Sequence, residues 1–365
     1  MPRIIHYLPE FFLTHHGVTE AILLMIKAKE KLKKKFNILC SNEDLKINHY
    51  YRKHRLPIKH LFRKKFSFPL FSGLDLKKYK NDLFIIHSVF TLQNYVLSKY
   101  LKLNNINYVL IPHGGYIHRN LKKNFFKYIL KKIWIFFFES KILKNAKHVI
   151  ALTRPEKKNI LKNFNISTDR VKIIEFPILF NNYHKVKNKK NIISTVCRAD
   201  IFHKGLDISL KAFDLSNLKN FEFRLHLTQY SKSKNKIETI ISTLKNKKKI
   251  KILKPIYKNK KIELLKNSKI ALFTSRYEGF GISLFESLWF GQECVVSNDM
   301  NVAPLLKKFN IAHVCKNKPE ILAKNLIIAS NKIKNTSYRR KKLFKFLSQE
   351  KYVKKIFKLI NEDIK

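Results

Sequence analysis

The chain has 365 residues, 45% of them hydrophobic, with 76 Lys and Arg against 25 Asp and Glu for a formal net charge of +51. That length suits two domains, and the apolar share excludes a chain disordered throughout. The charge calls for an anionic partner: nucleic acid, an anionic membrane surface or a phosphorylated substrate. Abundant Lys, Asn, Ile and Phe is also what an AT-rich genome produces, so part of the charge needs no partner at all.

Four cysteines, Cys40, Cys197, Cys294 and Cys315, lie far apart with no CxxC. Their spacing argues against a zinc site or a disulfide framework and for a reducing compartment. The start "MPRIIHYLPEFFLTHH" lacks the zones of a signal peptide. The most apolar run, "IWIFFF" at 133–138, is bracketed by Lys131, Lys132 and Glu139. It is far shorter than the roughly 20 residues that span a bilayer. A soluble or peripheral protein is expected.

In chain order, short apolar runs alternate with longer amphipathic stretches, the pattern of βαβ units around a parallel sheet. "RIIHYL" reads as a strand, 19–35 as a helix, then "FNILC", "LFIIHS" and "YVLIPH" as strands. A long basic helix pair over 121–145 precedes the strand "HVIALT". The polar, aperiodic "NNYHKVKNKKN" at 181–191 reads as an inter-domain linker. Beyond it, "NIISTVCR", "EFRLHLTQ", "KIKILKP", "KIALFTS" and "QECVVSN" read as strands, with a helix over 206–215. The tail from Tyr338 has helical spacing.

Ligands of open parallel sheets bind beyond the carboxyl ends of the strands. Polar residues fall at several such ends: His87, His113-Gly114-Gly115, Arg198, and Ser275 to Gly281. After "KIALFTS", the turn "RYEGFG" leads into a helix "ISLFESLWFG". Glycines at 279 and 281 allow close backbone approach. The amides of Ile282, Ser283 and Leu284 then lie at a helix N-terminus, where free N–H groups and the dipole favour a phosphate. Carboxylates accept paired bonds from vicinal hydroxyls, so Glu286 can grip a ribose and Glu278 a sugar. Alternatively Glu286 only favours the helix dipole and Glu278 is a solvated loop acid.

"SRYEGFGISLFESLWFGQECVVSND" resembles the E-x7-E signature of retaining glycosyltransferases of the GT-B fold, family 4. "STVCRADIFHKGLDISLKAF" is similar to that family's GR…KG segment. "IPHGG…AKHVIALTRPEKKNIL" is similar to its first-domain run from PHG to T-x-x-E. The resemblance implies an α/β chain of two Rossmann-like domains whose parallel sheets face each other across a cleft. An acceptor domain over 1–185 and a nucleotide-sugar domain over 190–338 are expected, with the helix 340–365 packing back on the first.

It further implies that Arg198 and Lys204 neutralise the diphosphate of a nucleotide-sugar, where other transferases use a metal. Glu286 would hold the ribose, and Glu278 the transferred sugar. Backbone groups of Gly279, Phe280, Gly281, Ile282, Ser283 and Leu284 would touch sugar and phosphate. His113 would stand at the reacting centre. Gly17, in "HHGVTEAI", would be what remains of a glycine pair near the diphosphate, with His16 filling space. No cofactor and no metal is implied beyond the UDP- or GDP-linked donor. The family pattern has Pro where this chain has Gln292 and Glu293, Gly where it has Cys197, and P-N-G where it has "EFPILF".

The stretches "KAKEKLKKKF", "YYRKHRLPIKHLFRKKFSFPLF" and "RNLKKNFFKYILKKIWIFFF" interleave cations with aromatic and aliphatic residues. That mixture suits an anionic lipid surface, and nothing in it resembles a nucleic-acid-binding motif. The expectation is a hexosyltransferase of bacterial surface polysaccharide synthesis (lipopolysaccharide, O-antigen or capsule). It would be cytoplasmic and peripheral at the inner face of the membrane, acting on a glycan or lipid-linked acceptor and not on nucleic acid. The alternative is a basic nucleic-acid- or membrane-binding protein on an inactive scaffold of the same fold.

Overall fold

Runs of β-branched and aromatic residues, each followed by an amphipathic stretch, build two fully parallel sheets. The computed structural model describes residues 3–11, 17–30, 36–43, 58–60, 79–116, 125–178, 189–253, 259–331 and 336–361. His16, most of the basic stretch 50–71, the start of the basic run at 119–124 and the linker residues 181–188 lie outside these.

The chain divides into two compact units, Met1–Leu179 with Leu347–Lys365, and Phe180–Phe346. The first unit holds β1 (Ile4–Phe11), β2 (Phe36–Glu43), β3 (Ile58–His60), β4 (Leu83–His87), β5 (Tyr108–Ile111), β6 (His148–Ala151) and β7 (Val171–Ile173), in the order 3-2-1-4-5-6-7. Every residue of β4 and β5 is buried, as expected for parallel strands covered on both faces. The second unit holds β8 (Lys190–Arg198), β9 (Glu222–Thr228), β10 (Ile250–Leu253), β11 (Ser268–Phe273), β12 (Glu293–Ser297) and β13 (His313–Cys315), in the order 10-9-8-11-12-13. Each sheet reverses its winding once, between β1 and β4 and between β8 and β11, and such reversals open ligand crevices.

Strands β3, β7 and β13, three residues each, show no usable period in the sequence. The expected linker ends early, because Lys190 and Asn191 already belong to β8. The basic helix pair is one helical stretch from Phe125 to Asn145, interrupted by a π-helical turn at Ile135–Glu139. The tail is broken at Leu347. Ser337–Phe346 belongs to the second unit, and Gln349–Asn361 packs in the first against Gly17–Glu30 through an apolar face that buries Val353 and Ile356.

Gln292 and Glu293 stand where the family pattern has Pro, and both are buried. Gln292 donates to Ser194 Oγ at 2.8 Å. Glu293 accepts from Arg340 Nη2 at 3.2 Å and lies 3.6 Å from His313 Nε2. Arg340 also donates to the Gln292 carbonyl at 2.9 Å, so the helix Ser337–Phe346 is clamped to β12 by a buried charge pair. Removing one partner of such a pair strands the other, at a cost of about 3–5 kcal/mol. Arg340→Met is therefore expected to lower the urea midpoint of the second unit strongly, and adding Glu293→Leu to restore most of it. An unchanged midpoint in the single variant would show that the clamp is not structural.

Candidate active site

In the second unit, two loops meet at the β8/β11 reversal. The first leaves β8 at Arg198, makes one helical turn at Ile201–Lys204 capped by the Asp200 carboxylate, and passes through Gly205 at φ +63°. A Cβ at Gly205 would be driven into the Thr274 carbonyl oxygen, so only glycine lets the loop lie against the end of β11. The second loop runs from Thr274 to Gly281.

Several bonds stitch the two together. Thr274 Oγ1 donates to the carbonyls of Lys204 (3.1 Å) and Gly205 (2.8 Å), and the Arg276 amide donates to His203 O (3.0 Å). The Arg276 guanidinium forks onto Asp207 at 2.8 and 2.6 Å. Lys204 Nζ donates to Glu278 Oε2. Burial would raise the Glu278 pKa, but Lys204, His203 and Arg198 together hold it below the ordinary carboxylate value. Glu278 therefore stays an anion and an acceptor.

Gly281, at φ +78°, ends the loop, and the helix Ile282–Trp289 begins. The amide of Leu284 is already bonded to the Gly281 carbonyl at 3.0 Å. Of the three first-turn amides expected to face a phosphate, those of Ile282 and Ser283 lack an intrahelical acceptor. The side chains of Phe280 and Leu284 are core, with Phe280 stacked on Phe285 at 4.6 Å. Gly279 lies in the turn between Glu278 and Phe280. One helical turn further, Lys261 Nζ sits 2.7 Å from the Glu286 carboxylate.

The other expected residues lie in the first unit. Gly17 opens the helix Gly17–Glu30, exposed, with nothing within 4 Å of where a Cβ would be. His113 follows β5 in the left-handed region, at φ +55°. Its ring stacks on Phe176 at 5.3 Å and its Nε2 lies 2.8 Å from His87 Nδ1. The next amide, of Gly114, donates to the buried Glu156 carboxylate at 2.6 Å. Burial pushes Glu156 up to about 7, against the pull of its bonds from Leu152 and Gly114.

Sequence reasoning missed His6, His203, Lys261 and Glu156. His203 lies one residue before Lys204 and stacks on Tyr277 at 4.2 Å and 7°. The Cys197 thiol, pushed up to about 12 chiefly by burial, is an inert neighbour. Among the described residues no group of His, Cys, Asp and Glu could hold a metal ion.

Desolvation pulls His113 down to about 3 and His203 to about 4, the latter also by Lys204, from an ordinary value of 6.5. Unfolding therefore takes up protons that the folded rings refuse. Their contribution to stability is complete above about pH 6.5 and is lost as pH falls toward 4 and then 3. Thermal unfolding midpoints are expected to drop between pH 7 and pH 4.5, less steeply in His203→Gln and His113→Gln. Equal slopes in all three proteins would overturn this.

The model of the glycosyl transferases group 1 matches residues 180–360, and that of glycosyltransferase family 4 matches residues 17–178. No curated protein sequence matches the chain. A glycosyltransferase from Rickettsia africae ESF-5 superposes with a TM-score of 0.76 at 17% identity, covering 100% of this chain and 99% of its own. Anabaena HepE, solved with UDP and glucose, gives 0.74 at 12% identity, covering 99% and 100%. WaaG, a glycosyltransferase involved in lipopolysaccharide biosynthesis, gives 0.66 at 13% identity, covering 94% and 95%. At these identities the likeness carries the fold, and the family models carry the rest: the chain belongs to the GT-B glycosyltransferases of the family 4 type.

Proposed function

We propose that the chain is a metal-independent, retaining hexosyltransferase of bacterial surface polysaccharide synthesis. It moves a sugar from a UDP- or GDP-linked donor to a glycan or lipid-linked acceptor. The observation that carries this reading is the second-unit cluster, in which Lys204 and, electrostatically, Arg198 act on Glu278, a residue of the loop that leads to the first-turn amides of Ile282 and Ser283. Two cations and a helix N-terminus suit a diphosphate, and an ionised glutamate beside them suits sugar hydroxyls.

In the proposed reaction the sugar–phosphate bond breaks and charge develops on the departing diphosphate. Lys204 and Arg198 oppose that charge without a metal. Glu286, paired with Lys261, accepts from the ribose hydroxyls. His113, neutral, bonds to the transferred sugar. The UDP and glucose of Anabaena HepE and the lipopolysaccharide pathway of WaaG support the donor class and the pathway.

A membrane-facing first unit fits this reading. Along Phe125–Asn145, Phe126, Leu130, Ile133 and Phe137 recur at helical spacing and are exposed, as is Phe136 at 73%. Lys131, Lys132, Lys141 and Lys144 lie among them. Apolar side chains at that spacing beside lysines suit headgroups and the acyl boundary better than the stacking platforms of a nucleic-acid groove. Among the described residues no helix is long and apolar enough to cross a membrane.

UDP or GDP at millimolar concentration is expected to raise the melting temperature, and a screen of nucleotide-sugars to reveal EDTA-insensitive transfer or hydrolysis. Glu286→Ala should weaken donor binding roughly 10-fold, as loss of a charged hydrogen bond does. Lys204→Ala should lower kcat by on the order of 100-fold. No shift with UDP, GDP or ADP would favour the inactive scaffold. Phosphatidylglycerol-containing vesicles should sediment the protein in low salt, and less of it after Phe126→Asp with Phe136→Asp. Preference for RNA over vesicles would defeat the membrane reading.

A further inference from the structure

Three histidines of the first unit form one hydrogen-bonded row. His6 Nδ1 lies 2.8 Å from His87 Nε2, and His87 Nδ1 lies 2.8 Å from His113 Nε2. Successive ring centroids are 5.1 Å apart. Sheet register explains the row. In β1/β4, His6 pairs with Ile85, two residues before His87; in β4/β5, His87 pairs with Ile111, two residues before His113. His87 is thus set two residues further toward the carboxyl ends than His6 on one face, and His113 continues the row from the turn just past β5. His6 and His87 are fully buried.

A neutral imidazole has one N–H, and each nitrogen–nitrogen contact needs one proton. With all three rings neutral, His87 donates one of its bonds and accepts the other, and both bonds run in the same direction. Three neutral rings joined in this way have two arrangements. In one, protons point toward the surface and His113 Nδ1 is a donor. In the other they point inward and His113 Nδ1 is an acceptor. Volume alone would not select two buried histidines in β1 and β4, because Leu or Phe fills such space without polar atoms to satisfy.

We propose that His87 and His6 are positioning residues that set which nitrogen of His113 carries its proton. They thereby set whether its Nδ1 meets a ligand as donor or acceptor. Burial holds the His113 ring itself neutral. The proposal rests on the reading that His113 faces the transferred sugar, but the state of the row can be measured without turnover.

Long-range proton–nitrogen NMR of the full-length, nitrogen-15-labelled protein at pH 7 reads the protonated ring nitrogen directly, with the signals assigned by His6→Gln, His87→Gln and His113→Gln. His87 and His113 are each expected as a single tautomer. In His87→Phe, which keeps an aromatic ring but removes both bonds, His113 should become an average of two tautomers. Its kcat should fall about 10-fold, with the KM for donor within about twofold of wild type. His87→Gln, whose amide donates and accepts, should recover most of both. A tautomerically averaged His113 in the wild type, or one unchanged in His87→Phe, would overturn the proposal, and the wild-type spectrum decides even where a variant fails to fold. Should the wild type turn over no nucleotide-sugar while its spectrum shows the fixed tautomers, the row stands and the transferase reading is what fails.

Discussion

The ion pair of Lys204 and Glu278 is the interaction on which the second unit is organised. Its partners are 74 residues apart and leave neighbouring strands on opposite sides of the β8/β11 reversal. Neither has a fixed position of its own, since both ride on loops. Gly205 lets one loop approach the end of β11, Thr274 fastens the contact through two carbonyls, and Arg276 with Asp207 fastens it again one turn away. Side chains held by several neighbours keep one geometry, and pre-set charge is what stabilises a transition state without reorganisation.

The first unit meets the same need with buried acids. Glu156 takes the amides of Gly114 and Leu152, at 2.6 and 2.7 Å. Glu139 takes the Phe90 amide, the Tyr116 hydroxyl and the Trp134 indole N–H, at 3.1, 2.6 and 3.0 Å. Both therefore hold the loops around His113, where Ser88, Phe90 and His113 itself all have left-handed backbones. Such conformations persist only where surrounding bonds over-determine them. In a chain this poor in acids, these two buried carboxylates hold the backbone in place.

Where a residue's place in the fold follows from local sequence, the sequence was legible. The alternation of strands and helices, the glycine turn, and the placement of Arg198, Glu278 and Glu286 at or beyond strand ends all show in short windows. What required the fold was pairing between distant segments. Thr153 caps its helix locally, but Glu156, three residues on, reaches across to Gly114. Glu139 reads as a charge flanking an apolar run and is fully buried. The histidine row depends on the register of three strands, which no single window contains. Lys261 lies 25 residues from Glu286, on the helix before β11, while Glu286 is on the helix after it.

Lys261 completes a symmetry within the E-x7-E stretch. Each glutamate has its own lysine, Glu278 with Lys204 and Glu286 with Lys261. For Glu278, burial alone would favour the protonated acid and weaken it as an acceptor. Lys204 favours the anion there. Hydrogen bonds from sugar hydroxyls to an ionised acceptor are stronger than those to a neutral one, so on the proposed reading Lys204 serves Glu278 before it serves the phosphates. Beyond their pairing with a glutamate the two cations differ. Lys204 stands with Arg198 beside a helix N-terminus, where a diphosphate can share it with Glu278. Lys261 rises from a separate helix against Glu286, and its charge is committed to that carboxylate.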